Sequence, residues 1–149
     1  MRAVVQRVKS ALVQVDGEVV GHINKGLLVY LSVGKTDLAE DAEYMADKLV
    51  NLRIFADDTG RMNQSICDVG GAVLLVSNFT LHGDCRKGRR PGFDEAAKPE
   101  LGNDLYAKVA SLIVHRDISV EKGVFGAHMQ VTSVNDGPVT FLLDSCKQF

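Results

Sequence analysis

The chain reads as an α/β domain of layered β/β/α type, with mostly antiparallel strands and two helices on one face. Three observations predict this. Short β-branched and apolar runs, separated by Gly-, Asn- and Asp-bearing turns, recur at both ends of the chain. Only two stretches carry the apolar period of a helix. Strands therefore outnumber helices, and two helices can cover only one face of the sheet.

Residues 3–8 and 11–15 are β-branched runs, and Asp16-Gly17 is a hairpin signal leading into a return strand over 18–23. Asn24-Lys25-Gly26 turns into residues 27–33, whose unbroken apolar run predicts a strand buried on both faces. Asp37, with Glu40 three residues on, predicts the start of the first helix. Leu38, Ala42, Met45, Leu49 and Leu52 then recur on one helical face. Arg53-Ile54-Phe55 leads into the turn Asp57-Asp58-Thr59-Gly60. Gly70-Gly71 introduces residues 72–76, a central strand by its continuous apolar run. Residues 82–98 hold Gly83, Gly88, Pro91 and Gly92 and show no period, which predicts a functional or mobile loop. Pro99 opens a second helix with Leu101, Leu105, Val109, Leu112 and Ile113 inward. Residues 118–121, 128–134 and 139–143 close the chain as strands. Asp136-Gly137 turns between the last two, and Pro138 at a strand start costs no ladder hydrogen bond.

At 149 residues, with no repeat or linker, residues 1–149 are expected to form one domain. Apolar content of 46% and charged content of 24% are ordinary for a globular protein. The net charge is −2, so no global nucleic-acid footprint exists, and positive charge facing an RNA would have to be local. Cys67, Cys85 and Cys146 are odd in number and lack Cys-x-x-Cys spacing, a reduced, cytoplasmic pattern. No apolar stretch approaches membrane-spanning length, and no membrane partner is expected. The four histidines have no ligand spacing; His82-Gly83-Asp84-Cys85 is half a metal site with nothing to complete it. Neither a metal nor a cofactor is expected.

Ser77, Asn78, Phe79 and Thr80 end the central strand in polar residues, which suits either a site or a strand leaving the core. Backbone N–H groups freed from the ladder there can face a developing oxyanion. Thr80 lacks a neighbouring base in sequence, which argues against a nucleophile. Arg86, Lys87, Arg89 and Arg90 crowd one stretch of the long loop, as either a solvated loop or a phosphate-binding patch. Arg7 is a cation within a strand, unusual unless it is paired or points into a site. Phe125 and Met129, four residues apart, read by default as core.

Ser77-Asn78-Phe79-Thr80-Leu81 and Asn135-Asp136-Gly137-Pro138-Val139-Thr140 resemble the two signature motifs of the D-aminoacyl-tRNA deacylase family, Ser-Gln-Phe-Thr-Leu and Asn-x-Gly-Pro-Val-Thr. Val5-Gln6-Arg7-Val8, Gly60-Arg61-Met62-Asn63, Arg90-Pro91-Gly92-Phe93 and Phe125-Gly126-Ala127-His128-Met129 fall in the expected order, so the resemblance runs nearly the whole chain. It implies an esterase acting on the 3′ end of D-aminoacyl-tRNA. Phe79 and Thr80 amides would hold the oxyanion, and the terminal 2′-OH would assist. A cis Gly137-Pro138 would act as chirality filter, inserted into a partner subunit's pocket, so a homodimer is implied. Phe125 and Met129 would clasp the terminal adenine, with Arg7 nearby. Such a filter cannot reject glycine, so glycyl-tRNA would also be cleaved. Asn78 departs from the family's usual Gln by one methylene. The alternative is a non-catalytic nucleic-acid-binding module using the basic stretch 86–90.

Overall fold

The computed structural model describes residues 1–148. Its first strand, β1 (Arg2–Val15), organises the rest by pairing with three others. Its first half runs antiparallel to β3 (Gly26–Ser32), and its second half to β2 (Glu18–Ile23). The opposite edge pairs along nearly its whole length with β8 (Gln130–Asp144). The sheet continues from β3 through β6 (Ala72–Ser77) to β7 (Val120–Lys122), both steps parallel. A separate two-stranded ribbon joins β4 (Phe55–Ala56) to β5 (Met62–Gln64). The β1–β2 hairpin turns at Asp16 and Gly17, both with positive φ, as Asp-Gly predicts.

Helices α1 (Ala39–Asn51) and α2 (Pro99–Val114) cover one face. Ala42, Met45, Leu49, Leu105, Val109 and Ile113 meet Val5, Leu27, Val29, Leu31, Val73 and Leu75 in the larger core. The other face carries Leu28, Leu74 and Val76, which pack against Val8, Ala11, Val13 and Ile23. The second half of β1 and its hairpin partner thus form the outer β layer. Curling brings β2 against β7: a Cβ on Gly21 would lie 2.7 Å from the Lys122 carbonyl oxygen. The expected β/β/α layering is present.

Several boundaries differ from expectation. Residues 3–8 and 11–15 are one strand, because the β8 ladder runs past Lys9 by shifting register on either side of Val8. Residues 128–134 and 139–143 are likewise one strand, β8. The Asp136-Gly137 turn signal is absorbed as a large bulge: Gln6 pairs with Thr140 and Val8 with Asn135, leaving residues 136–139 opposite Arg7 alone. The Gly137–Pro138 peptide bond within this bulge is cis.

Asp37 is not the cap of α1. Leu38 flanks the helix, and its N–H donates to Asp41 Oδ2 at 2.8 Å, one residue later than expected. Asp37 is buried instead, 2.8 Å from the N-terminal ammonium of Met1, and it accepts the Gly34 N–H at 2.5 Å. Leu38, expected inward, is exposed. The long loop is docked rather than loose: the Ala97 N–H donates to the Val33 carbonyl and the Lys35 N–H to Glu95, extending β3.

Candidate active site

At the C-terminal end of β6 the chain leaves the sheet and winds into a 3₁₀ turn, Phe79–His82. Asn78 still belongs to the ladder, donating its N–H to the Leu31 carbonyl at 2.8 Å. Its side chain does not cap the turn. Leu81 N–H reaches back to the Asn78 carbonyl, so the first two donors of the turn have no partner within it. Among the described residues neither the Phe79 nor the Thr80 N–H has any hydrogen-bond acceptor. Both residues line a cavity of about 740 Å³.

The opposite wall is the bend 125–129 before β8. Phe125 sits against Gly102 of α2, where a Cβ would come 3.3 Å from its ring, and lies 6.0 Å from the Tyr106 ring. Tyr106 is itself fixed by donating its hydroxyl to the Leu75 carbonyl at 2.7 Å, and burial pushes its phenol upward in pKa. Met129 packs its sulfur on Gly123 and against the second core. The lining is mainly apolar, as a flat base requires. Ser77, Asn78, Phe79, Thr80, Phe125 and Met129 are therefore brought to one cavity.

Thr80 donates its hydroxyl to Asn78 Oδ1 at 2.5 Å. A carboxamide oxygen is not a base, so this contact fixes the hydroxyl without activating it. Asn78, with its shorter side chain, thus serves the turn that follows it.

Arg7, Gly137 and Pro138 do not line this cavity. Arg7 lies beneath the bulge, donating Nε and Nη2 to the Asp136 carbonyl at 3.2 and 3.0 Å and Nη1 to the Ile54 carbonyl at 2.6 Å. Asn135 Nδ2 closes the bulge from inside, donating to the Arg7 and Val139 carbonyls at 2.9 and 3.1 Å. Gly137, at φ +128°, has no room for a side chain: a Cβ would meet Val139 Cγ2 at 2.8 Å and Arg7 Nη2 at 3.0 Å. Gly137 and Pro138 themselves are exposed.

Arg86, Lys87, Arg89 and Arg90 are exposed on the long loop. Arg86 is engaged by Asp84 through Nε and Nη2 at 2.9 and 2.8 Å, which holds the Asp84 carboxyl at about 2. The loop is tied to the cavity by Phe93, which packs edge-on to Phe79 at 5.0 Å. His82 turns inward and Cys85 outward, so the two do not share a site.

Sequence reasoning missed Tyr30, Ala97, Pro99 and His128, which also line the cavity. Tyr30 was legible in principle: it sits on β3 in the phase of Leu28, which points away from the helices. Ala97 and Pro99 come from the loop and helix start, and no periodicity marks them.

The profile of the family described as D-Tyr-tRNA(Tyr) deacylase matches residues 4–144. Proteins named D-aminoacyl-tRNA deacylase from Thermosipho africanus (strain TCF52B) and Clostridioides difficile (strain 630) are 56% identical to this chain over 149 residues, with both chains fully covered. One from Anaeromyxobacter dehalogenans (strain 2CP-C) is 58% identical over the same span. Among solved structures, the c-Myc DNA Unwinding Element Binding Protein superposes with a TM-score of 0.91 at 37% identity, covering 97% of this chain and 98% of that one. A probable eukaryotic D-amino acid tRNA deacylase has a TM-score of 0.82 at 18% identity, covering 95% and 97%, a likeness of fold alone.

Proposed function

The chain belongs to the D-aminoacyl-tRNA deacylase family, and from that premise we propose that it hydrolyses the ester of D-aminoacyl-tRNA and rejects the L-aminoacyl form. The reaction frees D-amino acids from mischarged tRNA, a proofreading step in translation. The observation that carries the assignment to a site is the pair of unpartnered N–H groups of Phe79 and Thr80 at an apolar cavity. Ester hydrolysis passes through a tetrahedral oxyanion, and fixed donors without competing partners stabilise it. The cavity takes the terminal adenosine between Phe125 and Met129. The 2′-OH of the terminal ribose assists the attack of water, since the Thr80 hydroxyl is held by Asn78 and, among the described residues, hydrogen-bonds no side-chain base.

Chirality is read by main chain. A pocket that only senses small apolar groups discriminates by about 1–3 kcal/mol. A rigid carbonyl where an L side chain would project excludes that hand altogether. Gly137-Pro138 supplies it, and because these residues do not line their own chain's cavity, they serve the cavity of a second copy. The homodimer this requires is supported by the free edge of β8, which pairs only with β1 among the described residues and exposes Val134, Phe141 and Leu142.

The test is deacylation of D-Tyr-tRNA, L-Tyr-tRNA and glycyl-tRNA side by side. Cleavage of the D and glycyl esters, with the L ester spared, is expected; inertness toward glycyl-tRNA would count against the filter. A D-Tyr-tRNA ending in 2′-deoxyadenosine is expected to resist cleavage. Binding of tRNA without turnover of any ester would favour the nucleic-acid-binding module instead.

A further inference from the structure

Beneath the 3₁₀ turn lies a buried polar pair that the proposed reaction does not use. Ser32, the last residue of β3, and His82, the last of the turn, are 1% and 8% exposed. Ser32 Oγ lies 2.6 Å from His82 Nδ1 and 3.4 Å from the Phe79 carbonyl oxygen. Among the described residues the buried Ser32 hydroxyl has these two acceptors within reach of its proton. The 2.6 Å contact must hold one proton between oxygen and nitrogen. If His82 Nδ1 carries it, the ring donates to Ser32 and the Ser32 hydroxyl is free to donate onward to Phe79.

The Phe79 carbonyl and the Thr80 N–H belong to one planar peptide unit. Holding the oxygen therefore aims the hydrogen. We propose that His82 and Ser32 form a positioning relay, Nδ1–H to Oγ–H to the Phe79 carbonyl, that fixes the direction in which the Thr80 N–H points into the cavity. His82 is held in turn by close packing on Gly34, where a Cβ would come 3.0 Å from Nε2. The far end of the turn is clamped separately, by Arg2 Nη1 donating to the Leu81 carbonyl at 3.1 Å. The relay thus adds a side-chain hold on the Phe79 carbonyl to the i→i+3 bonding of the turn itself.

The inference rests on the reading of Phe79 and Thr80 as oxyanion donors, and its test has one arm that does not. In the first arm, Ser32→Ala, His82→Leu and His82→Asn are assayed on D-Tyr-tRNA. Ser32→Ala and His82→Leu are expected to lower kcat by about tenfold at unchanged KM, the scale of a misaimed group. His82→Asn, whose amide nitrogen can replace Nδ1 as donor, is expected to stay near wild type. In the second arm, the Thr80 amide cross-peak is followed by ¹H–¹⁵N NMR without substrate, and Ser32→Ala is expected to move it. A Thr80 peak unmoved in folded Ser32→Ala, unchanged kcat, or a rise in KM in place of a fall in kcat would each overturn the relay. Wild type inactive on D-Tyr-tRNA, with the Thr80 peak still moved, would overturn the deacylase reading and support the relay's geometry.

Discussion

The guanidinium of Arg7 holds the carbonyl oxygen of Asp136 with two donors, Nε at 3.2 Å and Nη2 at 3.0 Å. The same side chain reaches the Ile54 carbonyl, so one cation ties the β8 bulge to β1 and to the segment after α1. A cation inside a strand is explained by the four bulge residues it faces.

Arg7→Lys keeps the charge but loses the planar fork that spans two carbonyls. A loss of about 1.5–3 kcal/mol in unfolding free energy is expected, the scale of hydrogen bonds to a charged group. Urea denaturation measures it. Because the bulge carries the proposed filter, the ratio of D- to L-Tyr-tRNA cleavage is expected to fall by roughly tenfold, a lost contact of the smaller kind. Gly137→Ala is expected to be worse on both counts, since its Cβ would collide with Arg7 and Val139. An unchanged D/L ratio in a folded Arg7→Lys protein would separate the bulge from selectivity.

Thr80 offers a sharper contrast. Its hydroxyl is bound to Asn78, whereas its N–H is free among the described residues. Thr80→Ala is expected to keep most of kcat. Thr80→Pro removes the N–H near the start of a turn, where a ring is tolerated, and is expected to lower kcat by about 10²–10³-fold. Single-turnover deacylation distinguishes the two. Equal losses in both variants would restore a nucleophilic role to the hydroxyl.

Much of this was legible in the residues. The hairpin at Asp16-Gly17, the buried strand β3, the strand β6 after Gly70-Gly71 and the helix after Pro99 all follow from local period and turn chemistry. What escaped depends on residues far apart in the chain. Asp37 reads as a cap because helices commonly start on acids, yet the Met1 ammonium claims it. The β8 turn signal is real, but continuous pairing with β1 converts a turn into a bulge. The pairing of Ser32 with His82 is invisible in sequence, since neither period nor motif links residues so far apart, and His82 reads there only as half of an uncompleted metal site. The cluster 77–80 was visible as a strand turning polar, while its free N–H groups belong to the turn geometry.

The basic loop separates by pairing. Arg86 is bound to Asp84, whose carboxyl, held at about 2, stays ionised throughout the working range. Lys87, Arg89 and Arg90 form no ion pair among the described residues. Arg86→Ala is therefore expected to leave the salt dependence of KM for D-Tyr-tRNA nearly unchanged. The double variant Arg89→Ala/Arg90→Ala is expected to raise KM and reduce the log–log salt slope by about 1.4, two single-strand phosphate contacts. A KM series at several salt concentrations decides, and an unaltered slope in the double variant would make the loop merely solvated.

His82 couples the turn to pH. Burial disfavours its imidazolium and Arg2 repels it; Asp37 partly opposes this, the Met1 ammonium adds to the repulsion, and Asp144 opposes it, with a net pKa below the ordinary 6.5. The unfolded chain, free of that environment, takes up the proton first. Between 6.5 and the lower folded value the unfolded state thus binds more protons, so stability rises with pH across that window. The contribution is complete above 6.5 and is lost as pH falls through the folded value. Wild type is expected to lose unfolding free energy below about pH 6.5 at no more than about 1.4 kcal/mol per pH unit from this one group. His82→Asn, which cannot titrate, is expected to show a flatter profile over the same range. Urea midpoints between about pH 5 and about pH 7.5 measure the difference, and parallel profiles for the two proteins would mean that His82 does not carry the pH response.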